Sequence, residues 1–173
     1  MSSNLAETAK NIYLTGLRNQ HAVENQAIEL LERQVGRLEN YPEMEARMRR
    51  HIEESREQAR RLEDLLSQHD TSHSMVKDAV MSVVGNVAAL GHATASDEVV
   101  KNTFANFAFE HYEIASYKSL LTLADLAGHS ARPSVLETSV REEQDMAAWI
   151  AEHLDPMVCR YVERSAAKLT AGV

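Results

Sequence analysis

Glu110, His111 and Glu113 stand near the middle of FAFEHYEIASYKSLLTLADLAG (residues 107–128), a stretch otherwise dominated by apolar residues. Burying an unpaired charge costs several kcal/mol or forces a pKa shift. Carboxylates in such a setting need a partner, and one metal ion can satisfy several of them. Further candidates lie elsewhere in the chain. Leu14, Leu17, His21, Glu24, Ile28, Leu31, Val35 and Leu38 recur at three- and four-residue steps, which predicts one helix face with Glu24 at its centre. Met44, Met48, Ile52, Ala59, Leu62 and Leu66 mark a second face, with His51 and Ser55 on the same side and Glu54 at its flank. Leu136, Ser139, Glu143, Met146, Ile150 and Leu154 mark a third, with Glu143 at its centre.

Thirty residues separate Glu24 from Glu54, and thirty separate Glu113 from Glu143. Two helical hairpins with carboxylates at equivalent depth would bring these four glutamates to one level of a bundle. Four carboxylates cannot all ionise in a dry core without cations. Iron, with room for two ions, or manganese suits a carboxylate-rich site with some imidazole. The expected ligands are Glu24, Glu54, Glu110, Glu113 and Glu143, with His51 one turn before Glu54. His111 is expected on the aromatic side with Phe104 and Phe107, as a packed or supporting residue. His21 reads either as a core histidine satisfied by one hydrogen bond or as a neighbour of the centre.

These residues require long helices to position them. The first is predicted from about Asn4 or Leu5 to Leu38, and Glu39-Asn40-Tyr41-Pro42 is a short break. Proline suits a first helical turn, so the second helix is predicted from Pro42 to about Gln68, antiparallel to the first. Residues 69–74 read as a polar linker, and about 75–90 as a short apolar crossover helix. Ser96 is the expected N-cap of the next helix, which should be apolar on two sides and continue to Ala127, with Gly128 as its C′ residue. The last helix is expected from Arg132-Pro133, with a kink or break at Asp155-Pro156 and a continuing or docked segment to Leu169. Trp149 is expected to pack beside the inner face, and Cys159 to be a small core or interface residue.

Length and composition set the class. One domain of 173 residues can bury a core without disulfides or structural metal. Six glycines and three prolines leave few breaks, so the chain is predicted to be all-α. A single cysteine fits a reducing, cytoplasmic compartment. MSSNLAETAKNIY lacks a basic start and an apolar core, so no signal peptide is expected, and no apolar run is long enough for a membrane span. A formal charge of -8 argues against nucleic acid as a partner. Arg47, Arg49, Arg50, Arg56, Arg60 and Arg61 alternate with glutamates, which reads as a solvated helix face with i,i+4 pairs.

The bundle class that builds carboxylate-bridged centres is the ferritin-like one, in which two helices supply Glu and two supply Glu-x-x-His. The latter places here hold Glu54-x-x-Glu57 and Glu143-x-x-Met146, without the histidine. EHYEIASY with LADLAG and REEQD downstream, and HIEES with AVENQ upstream, resemble the bacterial ferritin-like family formerly catalogued as a domain of unknown function (DUF892-type, stress-associated). The resemblance covers about residues 5–165. It implies a ferritin-like four-helix bundle with an added short crossover helix, a metal site and a homodimer. Members of that family often carry an aspartate four residues after the last-helix glutamate; Ala147 takes that place here. Two functions follow as expectations. One is a metal-binding protein, di-iron or di-manganese, with stress-related redox or iron-handling activity. The other is a non-enzymatic structural or interaction protein with a reduced metal site.

Overall fold

A computed structural model describes residues 3–69, 97–128 and 133–171. The described residues form four helices: α1 (Ser3–Val35), α2 (Pro42–Ser67), α3 (Glu98–Leu126) and α4 (Pro133–Ala166). The expected crossover helix at about 75–90, the linker beyond His69 and the Ser96 cap lie outside the described residues. Asp97 is instead the residue that precedes α3, and it pairs with Lys101 at 2.7 Å.

Pairs across the bundle fix its topology. His21 meets Glu63 and Arg56 meets Glu32, so α2 runs antiparallel to α1. Tyr117 meets Glu24 and Glu98 meets Arg37, so α3 also runs antiparallel to α1. α2 and α3 are therefore parallel, so the end of α2 and the start of α3 lie at opposite ends of the bundle. Parallel second and third helices, each antiparallel to the first, are the ferritin-like arrangement.

Apolar packing fills both ends. Tyr13, Leu17, Leu62, Leu66, Tyr117, Leu120, Leu136 and Val140 form one plug. Leu31, Val35, Tyr41, Met44, Met48, Ile52, Val99 and Met157 form the other. α1 and α3 approach closely in the first plug, where a Cβ on Gly16 would meet Leu120 Cδ2 at 2.8 Å. Gly128 ends α3 with φ +80°, a conformation open to glycine without a Cβ clash.

Four expectations change. First, α1 ends at Val35 rather than Leu38, and its buried line passes through Gln20 while His21 is only half-buried. The 3.6-residue period drifts from a strict three-four alternation over so long a helix. Second, α3 is buried on one face only: Phe104 and Tyr112 are half-exposed, and Ala108 and Ala115 are exposed. Third, of the continuing and docked forms expected beyond Pro156, α4 takes the continuing one, without a break. Asp155 and Pro156 are both exposed, so water can serve the carbonyl group that the proline ring leaves without a donor. Fourth, Cys159 is exposed, which removes the core alternative from its expected settings and keeps the interface one.

The arginine-rich face of α2 follows its expected pattern. Arg49 pairs with Glu45, Arg56 with Glu53 and Glu32, and Arg60 with Glu57 and Asp64. Arg47 and Arg61 are the exceptions: Arg47 is turned inward and buried, and Arg61 is half-buried against Glu142 of α4.

Candidate metal centre

Between the two apolar plugs lies a polar layer with essentially no exposure. α1 supplies Gln20 and Glu24, α2 supplies His51, α3 supplies Glu110, Glu113 and Tyr117, and α4 supplies Glu143. Each occupies the inward line of its helix, where helical periodicity alone would place Leu or Val. Five of the six residues expected as ligands are thus brought together: Glu24, Glu110, Glu113, Glu143 and His51.

The layer has two halves. In one, His51 Nε2 lies 3.1 Å from Glu110 Oε2 and 3.7 Å from Glu143 Oε2. One ligand atom from each of these three residues falls within 4.8 Å of the others, close enough to share an ion. In the other half, Gln20 Nε2 donates to Glu24 Oε1 at 2.9 Å and to Glu113 Oε1 at 3.2 Å. The Tyr117 hydroxyl donates to Glu24 Oε1 at 2.6 Å.

Glu54, the sixth expected ligand, is not in the layer. Its side chain is 25% exposed, and Oε2 accepts from Arg47 at 3.0 Å and meets His51 Nδ1 at 2.9 Å. It therefore holds the outer nitrogen of the imidazole and leaves Nε2 facing Glu110 and Glu143. A carboxylate on the far nitrogen fixes ring orientation and raises ligand basicity. The thirty-residue symmetry fails at this place because His51, one turn earlier, points inward instead. His111 is exposed and packs edge-on against Phe107 at 4.7 Å, as expected for the aromatic side.

The protonation energetics express crowding. Burial pushes the Glu24 carboxyl up to about 7, against the hydrogen bonds from Tyr117 and Gln20 that favour its charged form. Burial also holds Glu113 well above the usual carboxylate range, reinforced by Glu24, Glu143 and Glu110. Glu143 is raised by burial and by Glu110, with His51 opposing. Burial alone would depress His51, but the charge and hydrogen bonding of Glu110, then Glu54 and Glu143, hold it well above its ordinary value. Tyr117 is pushed well above the phenol range by burial and by Glu24.

One imidazole cannot balance four carboxylates. Glu24 Oε2, Glu110 Oε2, Glu113 Oε2 and both oxygens of Glu143 are buried without a hydrogen-bond donor among the described residues. His51 Nε2 likewise lacks an aligned hydrogen bond despite its nearby carboxylates. Buried polar atoms are rarely left so, and each costs about 1–3 kcal/mol unless something supplies the missing interaction. Several oxygens and one nitrogen converging within one buried layer form a donor set that fits iron or manganese.

Gln20 was hidden in the sequence because amides are common on solvated helix faces. Its position one turn before Glu24 is the signal that could have found it. Arg47 was hidden among the other arginines of its segment.

Solved structures show the same architecture. A protein from Xanthomonas campestris pv. campestris matches with a TM-score of 0.77 and 28% identity, covering 91% of this chain and 99% of its own. The Escherichia coli stress protein YciF matches with a TM-score of 0.69 and 20% identity, covering 84% of this chain and 94% of its own. YcfI of Rhodopseudomonas palustris matches with a TM-score of 0.66 and 22% identity, covering 87% of this chain and 98% of its own. The family model described as a domain of unknown function (DUF892) matches residues 8–163, and the chain belongs to that family.

Proposed function

We propose that the buried layer is a metal centre holding iron or manganese, and that the protein uses it in stress-related redox or iron-handling work. The observation that carries this reading is the set of donor-free carboxylate oxygens facing one buried imidazole nitrogen. Glu110, Glu143 and His51 form the mixed oxygen–nitrogen position, and Glu24 and Glu113 form an adjoining all-oxygen pair. Two ions would place the four carboxylates in their charged forms without repulsion. Bound iron would supply one-electron chemistry at this place. The chain's own residues exclude bulk water, orient His51 through Glu54, and hold Glu24 through Tyr117 and Gln20.

A reduced, single-ion version in a structural or interaction protein is the second reading. It is favoured by the outward placement of Glu54, which leaves α2 with one inward ligand. In either version the protein works as a homodimer in a reducing, cytoplasmic compartment, without a nucleic-acid partner. The half-exposed Phe104 and Tyr112 are apolar surface that self-association would cover. Among the described residues no helix is long and apolar enough to cross a membrane. The name of the E. coli neighbour supports the stress-related part of the proposal.

Elemental analysis of protein purified without chelator tests the reading directly. Two equivalents of iron or manganese per chain support the first version and one supports the second. A value near zero after anaerobic Fe(II) or Mn(II) loading rejects both.

A further inference from the structure

A narrow cavity lies where the end of α1 meets the start of α3, lined by Gln34, Arg37, Glu98, Asn102, Thr103 and Asn106 with two methionines of α2. Its polarity is unexpected. Glu98 is only 4% exposed, although apolar residues such as Leu38 and Val99 fill the rest of that end. Buried carboxylates are rare and costly unless paired. Glu98 is paired with Arg37 at 2.6 Å, and its other oxygen accepts from Asn102 at 3.4 Å. Deeper in, Asn106 donates to Gln34 at 2.8 Å, both buried.

Glu98, Asn102, Asn106 and Glu110 follow one another at four-residue steps, so they form one row along α3. Twelve residues of helix span about 18 Å, from the mouth of the cavity to the metal centre. Among the described residues the opposite end of the bundle has no such row, being filled by Tyr13, Leu17, Leu62, Leu120 and Leu136.

We infer that cations reach the metal centre through this cavity, with the Arg37–Glu98 ion pair at its mouth and the Gln34–Asn106 amide pair at its floor. The inference rests on the metal reading above. The free volume is ≈ 10 Å³, enough for about one water, so an ion passes by exchanging its waters for oxygens of the lining. Glu98, Asn102, Thr103 and Asn106 provide those oxygens in succession. The alternative approach, along the seam between α2 and α4, is capped by arginines that are held in place. Arg47 is 6% exposed on Glu54, and Arg61 is 16% exposed with two bonds to Glu142. Arg37 is 45% exposed, so it can swing into solvent and uncover the Glu98 carboxylate, which the other two arginines cannot do for theirs.

Stopped-flow mixing of the metal-free full chain with Co(II), followed by the visible absorption of the bound ion, tests the route. Glu98→Gln and Asn106→Leu are expected to slow uptake by about tenfold or more, the scale of lost electrostatic focusing in a charged cleft, with the final bound amount unchanged. Arg37→Ala is expected to speed uptake, and Gln58→Leu on the α2–α4 seam to leave it unchanged. Wild-type rates in both Glu98→Gln and Asn106→Leu overturn the route, as does slowing confined to Gln58→Leu. If Asn106→Leu loses its helical circular dichroism, Glu98→Gln decides alone. Absence of Co(II) binding by the wild-type chain overturns the metal reading and the route together, whereas binding with unaltered variant rates overturns the route only.

Discussion

The side-chain amide of Gln20 donates to Glu113 Oε1 at 3.2 Å, joining residues 93 positions apart, while also donating to Glu24 one turn along its own helix. One neutral group thus holds two buried carboxylates in register and leaves the second oxygen of each facing inward. Because it supports ligands from behind, Gln20→Ala is expected to lower metal affinity about 10–100-fold without abolishing binding. Competition titration against a chelator of known affinity checks this. An unchanged affinity would show that the pair needs no clip.

Glu113 lies among three other buried carboxylates, and all three contribute to its raised pKa. Glu113→Gln is expected to remove metal while keeping the fold. The metal-free variant should also be more stable than the wild type at pH 8, by about 1.4 kcal/mol for each pKa unit by which burial and its three neighbours raise Glu113 itself, because the amide has no proton to lose. Elemental analysis and urea denaturation read the two effects separately. Full metal content in the variant would remove Glu113 from the ligand set.

The metal-free protein should become less stable as pH rises. Glu24 titrates near 7 when folded against 4.5 as its reference, so between these values the folded chain holds a proton that the unfolded chain has released. Glu113 and Glu143 act in the same sense, and so does His51, whose stabilising proton is present below 6.5 and lost as pH climbs through its raised folded value. Glu54, with its pKa lowered, acts the other way, contributing above 4.5 and losing its contribution as pH falls. Glu24 alone corresponds to roughly 3 kcal/mol lost between pH 4.5 and 8, at about 1.4 kcal/mol per unit. Urea denaturation at pH 5 and pH 8 with chelator present measures the trend. Saturating metal should flatten it, because ligated carboxylates no longer need protons.

Glu54 and His51 should separate in their effects. His51 Nε2 faces Glu110 and Glu143, so His51→Ala is expected to empty the mixed position. Glu54 touches only the outer nitrogen, so Glu54→Gln is expected to cost about 10–100-fold in affinity with unchanged stoichiometry. Equal loss of stoichiometry in the two variants would make Glu54 a direct ligand after all.

Much of the candidate site was legible because the anomaly was chemical. Glu24 and Glu143 interrupt lines whose only other polar members are His21 and Ser139, and no surface role explains a glutamate there. Where two neighbouring positions were both plausible, the pattern failed. Glu54 and His51 sit three residues apart on one helix, so small rotations of α2 decide which points inward. The sequence period could not resolve that rotation. Packing against α4 and the Arg47 guanidinium did, drawing Glu54 outward and leaving His51 to face Glu143. The same limitation explains why His21, rather than Gln20, stood out on α1.

The all-α class, the number of long helices among the described residues and the inward Glu24, Glu113 and Glu143 followed from the sequence, since each depends on local propensity and a 3.6-residue period within one segment. The two halves of the polar layer and the burial of the Glu98–Glu110 row against α1 took shape only in the folded bundle. So did the half-exposed aromatic face of α3. These features depend on the rotation and depth of one helix against another. Those quantities are set by side chains distant in the chain, such as Gln20 against Glu113 and Arg37 against Glu98.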